Sequence, residues 1–447
     1  MLLAGAFKAN VTPPYNACIC GGFAEMRLNN ILDDIYVHAL ILDDGSREFA
    51  IVSIDHCLLY DQIFYGRVLQ TIEEGTGLTQ EQVMIACTHT HSGPVTYNEK
   101  PEIFGEAAED YVQHFLKSLV SAINMARLRK KPVKLGVGKG KNENHVFNRR
   151  LKKPDGSIVM NWVEFDFIQD GIPSGPVDPE MLVARFDDDS GKPVAMIVNY
   201  GNHNNAALNG ISSDISGHMS EILGQLYGKE MVVIFLTGAC GNTNWINHKD
   251  VHRFDADCHK KIGTGLAGTV LEIMGILEYV EADGIKFAHE ILEVVDRPYC
   301  DYDDHEDGTF GHSPDAKIFF RVYHEEKEEY KNAPLRLNKV DIHALAIGDS
   351  FAVASNPSEL FCDFGIEIKQ KSPVKYTMIA ELTNGYAGYV PTKKAFEEGG
   401  YEVRKTRIGS YLDIDAGDRI VDSSLRLLEA VSGKRPEDIT CYGTRNG

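Results

Sequence analysis

The sequence predicts an α/β fold, a mixed β-sheet core with flanking helices. Three observations predict it. A strand–turn–strand pattern occurs three times, and each returning strand ends at polar residues. Other segments carry apolar residues three and four apart, the period of a helix packed on one side. Finally, 43% of the 447 residues are hydrophobic and 25% are charged, so a large core can be buried and global disorder is excluded.

The first pattern places strands over 35–42 and 49–55, joined by the turn at Asp43, Asp44, Gly45 and Ser46, and ends at Asp55 and His56. An amphipathic helix is predicted over 60–73. The apolar run 83–87 reads as a short strand that leads into Thr88-His89-Thr90-His91-Ser92-Gly93-Pro94, where Gly93 and Pro94 end regular structure. Tyr111, Phe115, Leu119 and Ile123 lie four apart and predict a helix over 107–127. The second hairpin covers 181–186 and 194–200 and ends at Gly201, Asn202 and His203. A helix over 213–227, a central strand over 231–236 and a helix over 256–276 follow.

The third hairpin, over 340–347 and 351–355, ends at Asn356, Pro357, Ser358 and Glu359. Helices are predicted over 359–370 and 416–429. Residues 301–308 form an acidic loop, and 314–330 a charged amphipathic segment. Together they read as an acidic surface excursion at about 299–330, set on a single interleaved domain over 1–447. No linker, low-complexity tract or solenoid repeat interrupts the chain.

Formal net charge is -20, from 65 acidic and 45 basic residues, which disfavours nucleic acid and anionic membrane surfaces as partners. The best linear basic patch is 148–153. No run approaches 18 apolar residues, so no membrane span is expected. The start, Met1 to Lys8, has too short an apolar region for a secretory leader, and the expected location is cytoplasmic. Nine scattered cysteines fit free, buried thiols in a reducing compartment. Cytoplasmic enzymes of this size often form symmetric homo-oligomers.

Strand ends that converge polar groups are where α/β proteins keep their sites. His89 and His91, at i and i+2 of an extended segment, would point to one side. Both could approach one metal ion, or one could bind it while the other meets substrate; a structural pair is the competing reading. His203 has small polar flanks, unlike a core histidine. Glu359 is placed to start a helix, where an acid also simply suits the helix dipole. Tyr386 and Tyr389 lie in a glycine-rich loop that a core does not require. Two histidines, a glutamate and one more oxygen would suit a catalytic zinc site. The chain has no Gly-x-Ser-x-Gly elbow and no Walker loop.

Several motifs resemble those of the neutral/alkaline, non-lysosomal ceramidase family, in its zinc-dependent N-terminal catalytic domain. They are Val11-Thr12-Pro13-Pro14, Asn148-Arg149-Arg150, the Asp178-Pro179 segment and, most specifically, His89-Thr90-His91-Ser92-Gly93-Pro94. The resemblance implies that fold, without the family's C-terminal immunoglobulin-like domain. It implies Zn2+ as cofactor, held by His89, by His203 ahead of Ser212-Ser213-Asp214, by Glu359 of Pro357-Ser358-Glu359, and by Tyr389 of Asn384-Gly385-Tyr386-Ala387-Gly388-Tyr389. It also implies that His91 contacts substrate or a reaction oxygen.

The family's Gly-Asp-x-Ser-Pro-Asn segment corresponds to Gly241-Asn242-Thr243-Asn244-Trp245-Ile246, so asparagine stands in the serine's place. Asn244 would then be a neutral donor to an oxyanion and could not form an acyl-enzyme. Asp214 or His218 would orient groups around the site. The expected activity is zinc-dependent hydrolysis of an amide, ester or lactone bond in a small soluble N-acyl substrate. Arg149, Arg150, Arg404 and Arg407 are candidate handles for a substrate carboxylate or phosphate, against a surface role for each. The alternatives are an intracellular ceramidase or lipid amidase, a zinc enzyme acting on a sugar-like ligand, and a non-catalytic metal-stabilised binding protein.

Overall fold

The computed structural model describes the chain except residues 15, 23–24, 60–61, 97–104, 164–169, 251–256, 305–313, 408 and 434–447. Nine strands form the larger sheet: β1 (Leu3–Asn10), β2 (Tyr36–Asp43), β3 (Glu48–Ile54), β4 (Val83–Cys87), β5 (Lys131–Lys141), β6 (Glu180–Asp188), β7 (Pro193–Tyr200), β8 (Val232–Thr237) and β9 (Glu278–Val280). Their order is β8-β7-β6-β5-β1-β2-β3-β4, with β9 paired to β5. A second sheet runs β10 (Ile285–Val295), β11 (Leu337–Ile347), β12 (Phe351–Ser355) and β13 (Tyr376–Ala380). The mixed α/β class expected from the sequence is the class observed.

One unit is built three times. An antiparallel hairpin is followed by a helix that returns the chain to a strand parallel to the hairpin's second arm. The units are β2-β3-α1-β4 with α1 at Gln62–Thr76, β6-β7-α3-β8 with α3 at Asp214–Tyr227, and β11-β12-α6-β13 with α6 at Cys362–Lys371. The hairpins follow from the turn residues; the parallel partner follows because only a crossover helix can return the chain in the same direction.

A central core takes side chains from both sheets, such as Leu40, Ile51, Ile197 and Ile234 with Leu345, Phe351 and Met378. The opposite faces are covered by helices. Phe64 and Val68 of α1 and Phe115 and Leu119 of α2 (Glu109–Leu128) pack on β2 and β3. Met219 of α3 and Ile262 and Leu266 of α4 (Cys258–Met274) pack on β6 to β8. Ile368 of α6 and Ile420 of α8 (Ala416–Ser432) pack on the second sheet. Strands buried on both faces read as continuous apolar runs, which is why β4 and β8 are legible in sequence.

Three long strands and one short one had no sequence signal. β5 reads Lys-Pro-Val-Lys-Leu-Gly-Val-Gly-Lys-Gly-Lys. Its glycines face α4: a Cβ on Gly138 would come within 2.8 Å of Ile273 Cγ2. A strand that packs by lacking side chains cannot be found by looking for apolar ones. β1, β10 and β13 complete the set.

Other expectations need correction. The predicted helix at 359 begins at Cys362, and Glu359 instead sits in the short strand Glu359–Leu360, paired in parallel with Tyr389–Val390. The linear basic patch at 148–153 is not a surface, because Arg149 and Arg150 are buried. The excursion at about 299–330 is partly core: Asp303, Tyr323 and Glu326 are buried, and Asp303 pairs with Arg297 at 2.6 Å. Residues 305–308 of the acidic loop lie outside the described residues. Among the described residues no helix is long and apolar enough to cross a membrane, and eight cysteines are free, seven buried and Cys300 exposed.

Candidate active site

The three repeated units bring their carboxyl ends to one place. Cys57, His203 and Glu359 follow the hairpin strands β3, β7 and β12, and His89, Cys240 and Glu381 follow the parallel strands β4, β8 and β13. Each unit therefore supplies two residues to the same cluster.

His89 has φ of +64°, a left-handed backbone that an imidazole adopts only when its surroundings hold it there. Its amide donates to the His56 carbonyl at 3.0 Å. Its ring Nδ1 lies 2.9 Å from the Cys57 carbonyl oxygen, which fixes the proton on Nδ1 and leaves the Nε2 lone pair free. That Nε2 is 3.0 Å from His203 Nε2 and 3.5 Å from Glu359 Oε2; the His203–Glu359 separation is 4.0 Å. All three side chains are buried. Glu359 Oε1 accepts from the Tyr386 hydroxyl at 3.1 Å, whereas Oε2 has no hydrogen-bond partner. Behind His203, Cys240 Sγ lies 3.6 Å from Nδ1 and donates to Glu381 Oε1 at 2.8 Å. Burial pushes the Glu381 carboxyl well above the usual carboxylate range.

Two imidazole lone pairs and an orphaned carboxylate oxygen, buried and facing one another, repel unless a cation lies between them. Bonds of about 2.1 Å in a tetrahedral shell put neighbouring ligand atoms about 3.4 Å apart, and the donor set of two nitrogens and one oxygen is that of zinc. The separations of 3.0, 3.5 and 4.0 Å bracket that spacing. The residues fit a zinc ion.

His91 Nε2 is 3.4 Å from His89 Nε2. Both rings face the cluster, although the left-handed turn at His89 replaces the extended segment expected from sequence. Burial first, then the neighbouring His89, lowers the His91 pKa to about 3, so its ring is neutral. Tyr389 lies at the cavity wall, its hydroxyl 3.3 Å from that of Tyr401, and the Tyr386 hydroxyl donates to Glu359 Oε1.

Asp214 does not enter the cavity. It accepts backbone N–H bonds from Ala206, Ala207 and Ile215 at 3.0, 2.9 and 2.8 Å, and so folds the loop that follows His203. Asn244 is also withdrawn: its amide exchanges two 2.8 Å hydrogen bonds with Asn161, so the predicted oxyanion donor is satisfied elsewhere. His218 sits between α3 and α4, 3.4 Å from Thr264 Oγ1 and 3.6 Å from Glu221, because its helical position faces the neighbouring helix rather than the strand ends.

The cluster lies in a cavity of about 350 Å³. Both tryptophans of the chain, Trp162 and Trp245, line it, with Tyr389 and Tyr401. Arg149 is the one arginine or lysine among the described residues that line it. It is held at 5.3 Å from the centroids of Tyr389 and Tyr401 and 5.8 Å from Trp162. Its Nε binds Glu402 and its Nη2 the Gly241 carbonyl, at 3.1 and 2.7 Å. Of the four arginine handles, Arg149 alone reaches the cavity; Arg150 and Arg404 are buried in other contacts, and Arg407 Nε lies 3.9 Å from Glu326. Sequence reading missed Cys57, Cys240 and Glu381; their place at the same strand ends as the ligands was the available signal.

The class of protein follows from the fold and the motifs. The family described as "Neutral/alkaline non-lysosomal ceramidase, N-terminal" matches residues 2–233, and the chain belongs to it. Glu359 and Tyr389 lie beyond the matched stretch, so the place of Glu359 beside the histidines rests on geometry. Among particular relatives, Neutral ceramidase A of Dictyostelium discoideum is 27% identical over 190 residues, 40% of this chain and 25% of that protein. Neutral ceramidase B of the same organism is 24% identical over 229 residues, 48% of this chain and 31% of that protein. The match thus spans a quarter to a third of these relatives. The fold is that of the neutral ceramidase from Pseudomonas aeruginosa, with a TM-score of 0.71 at 20% identity, covering 96% of this chain and 75% of that one. A ceramidase complexed with C2 gives 0.72 at 18% identity, covering 97% and 76%.

Proposed function

We propose that this protein is a zinc-dependent hydrolase that cleaves the amide bond of a small N-acyl substrate. The observation that carries the reading is the unpartnered Oε2 of Glu359, which faces the Nε2 atoms of His89 and His203, all three residues lining one cavity. His89, His203 and Glu359 would hold the metal, with Tyr389 as the fourth residue implied by the family resemblance. A zinc ion there supplies a Lewis acid for the scissile carbonyl and a lowered pKa for water.

The chain's own residues do the rest. His91, neutral and beside the cluster, is placed to take the proton that the attacking water releases and to pass it to the departing nitrogen. Arg149 offers a fixed positive charge to a substrate oxygen, and the aromatic rings around it exclude water. The cavity volume lies at the small end of the roughly 300–1,000 Å³ typical of ligand sites, which suits a compact substrate.

A second reading, a ceramide-type lipid, is favoured by the cavity mouth. Leu208 lines the cavity and is 42% exposed, and the isolated bridge of Ile31 to Ile211 sets exposed Ile31 and Leu32 against the loop that holds Gly210. One experiment separates the readings. Hydrolysis of N-acyl amino acids, N-acyl amino sugars, lactones and a short-chain ceramide is compared for wild type and His89→Ala, with zinc content measured on both. Zinc-dependent turnover of a soluble class, lost in the variant, is the expected result. Turnover of ceramide alone moves the assignment to the lipid. A zinc content and turnover unchanged by His89→Ala overturns the site.

A further inference from the structure

A second cluster of metal-binding side chains lies on the other sheet. His289 of β10 and His343 of β11 are direct cross-strand partners. Asp341 precedes His343 by two residues on the same strand, so all three side chains project from one face. Asp341 Oδ1 is 2.9 Å from His343 Nε2 and 3.6 Å from His289 Nδ1. The two imidazole rings have centroids 5.1 Å apart. Asp341 and His343 are 4% and 0% exposed.

None of the facing atoms is satisfied. Asp341 Oδ1, His289 Nδ1 and both ring nitrogens of His343 have no hydrogen-bond partner, despite the 2.9 Å approach. The nitrogen and oxygen are close yet not aligned on each other, which is the relation of two atoms that share a third. The other oxygen of Asp341 is saturated: the Tyr65 hydroxyl donates at 3.1 Å and Gln80 Nε2 at 2.7 Å. Those two bonds turn Oδ1 toward the imidazoles, as outer hydrogen bonds orient a metal-binding carboxylate. Glu81 adds a second acid, 3.5 Å from His289 Nε2. The N, N, O donor set and its spacing repeat what is seen at His89, His203 and Glu359.

We propose that His289, Asp341 and His343 form a second divalent-metal site, selective for zinc-class ions, that ties the second sheet to α1 and the turn at Gln80. Imidazole and carboxylate ligands with separations near 3.4 Å favour a tetrahedral zinc-class ion over calcium or magnesium, which take six or more oxygens. The tie is direct: Tyr65 belongs to α1 and Gln80 to the 3-10 turn Gln80–Gln82, and both bind the carboxylate that would bind the ion. The site stands on its own residues and does not depend on the hydrolase assignment.

The test is metal content of the full chain. Wild type, His89→Ala, His289→Gln and the double variant are stripped with a chelator, reloaded with zinc, freed of loose metal and measured by mass spectrometry. The expected result is about two zinc ions per chain in wild type, about one in each single variant and none in the double variant. Zinc addition should also raise the unfolding temperature of His89→Ala but not of the double variant. About one zinc in wild type with none in His89→Ala overturns the second site, as does equal zinc in His89→Ala and the double variant. Loss of metal in His289→Gln alone, with His89→Ala unaffected, would sustain this site and sink the first. Circular dichroism of each variant excludes misfolding as the cause, and Asp341→Asn, which keeps an oxygen to accept the Tyr65 and Gln80 hydrogen bonds, repeats the comparison if His289→Gln is not folded.

Discussion

Arg149 and Glu402 form a fully buried ion pair, with Nε 3.1 Å from Oε1, and Arg150 Nη1 takes the other carboxylate oxygen at 2.7 Å. One carboxylate is thus shared by two buried guanidinium groups. The aromatic wall against Arg149 is fixed by this pair, because the cation cannot move without uncovering Glu402.

Glu402→Gln should therefore be costly. Removing one partner of a buried pair leaves uncompensated charge, a loss of about 3–5 kcal/mol. Denaturant unfolding of the variant beside wild type measures it. A loss under about 1 kcal/mol, the value of an exposed pair, would show that water reaches Arg149.

Gly21 is the support of His91. Its φ is +105°, and a Cβ there would lie 2.6 Å from the imidazole. Gly21→Ala should displace His91 and lower kcat about 10²-fold, the effect of a misplacement near 1 Å. The left-handed φ should also lower the unfolding temperature, while zinc content in the folded variant should stay at the wild-type value. An unchanged kcat would remove His91 from the reaction.

Asp214 is a buried carboxyl whose pKa is raised to about 7; burial is the largest cause and outweighs three backbone N–H donors. The folded protein therefore holds a proton that the unfolded chain releases near 3.9. The sign is fixed by this: stability is fully present below the unfolded pKa and is lost as pH rises toward 7, at up to about 1.4 kcal/mol per pH unit. Asp214→Asn lacks this titration. The stability difference between wild type and the variant should fall between pH 4 and 7. A difference that is flat with pH would mean that the carboxylate is ionised throughout.

Because Trp162 and Trp245 are the chain's only tryptophans and both line the cavity, intrinsic fluorescence should report on it. Saturating ligand should shift the emission of wild type, and Trp162→Phe and Trp245→Phe should each retain part of the response. A ligand that is hydrolysed without any fluorescence change would place its binding outside this cavity.

Much of the architecture was legible because burial on both faces leaves a continuous apolar run. β4 and β8, the three hairpins and the helices with four-residue spacing all announce themselves this way. β5 was invisible because its glycines make room for Ile273 and Leu277, and absence of side chains leaves no pattern. The helix predicted at Glu359 failed because that residue pairs with Tyr389, a partner 30 positions away, which local propensity does not contain.

The sequence by itself determined the family and the mixed α/β class, and it singled out His89, His91, His203 and Glu359 as candidates for the proposed site, since ligand type, strand ends and motifs are all local properties. Only the tertiary structure decided which polar groups face the cavity. Asn244 turns to Asn161, His218 lies between two helices, and Asp214 braces a loop. Arg149, which charge alone would send to the surface, is held inside by Glu402 and three aromatic rings. The reason is physical: a side chain's chemistry is carried by its own atoms, but its direction and its partners are set by residues brought near only when the sheets and helices pack.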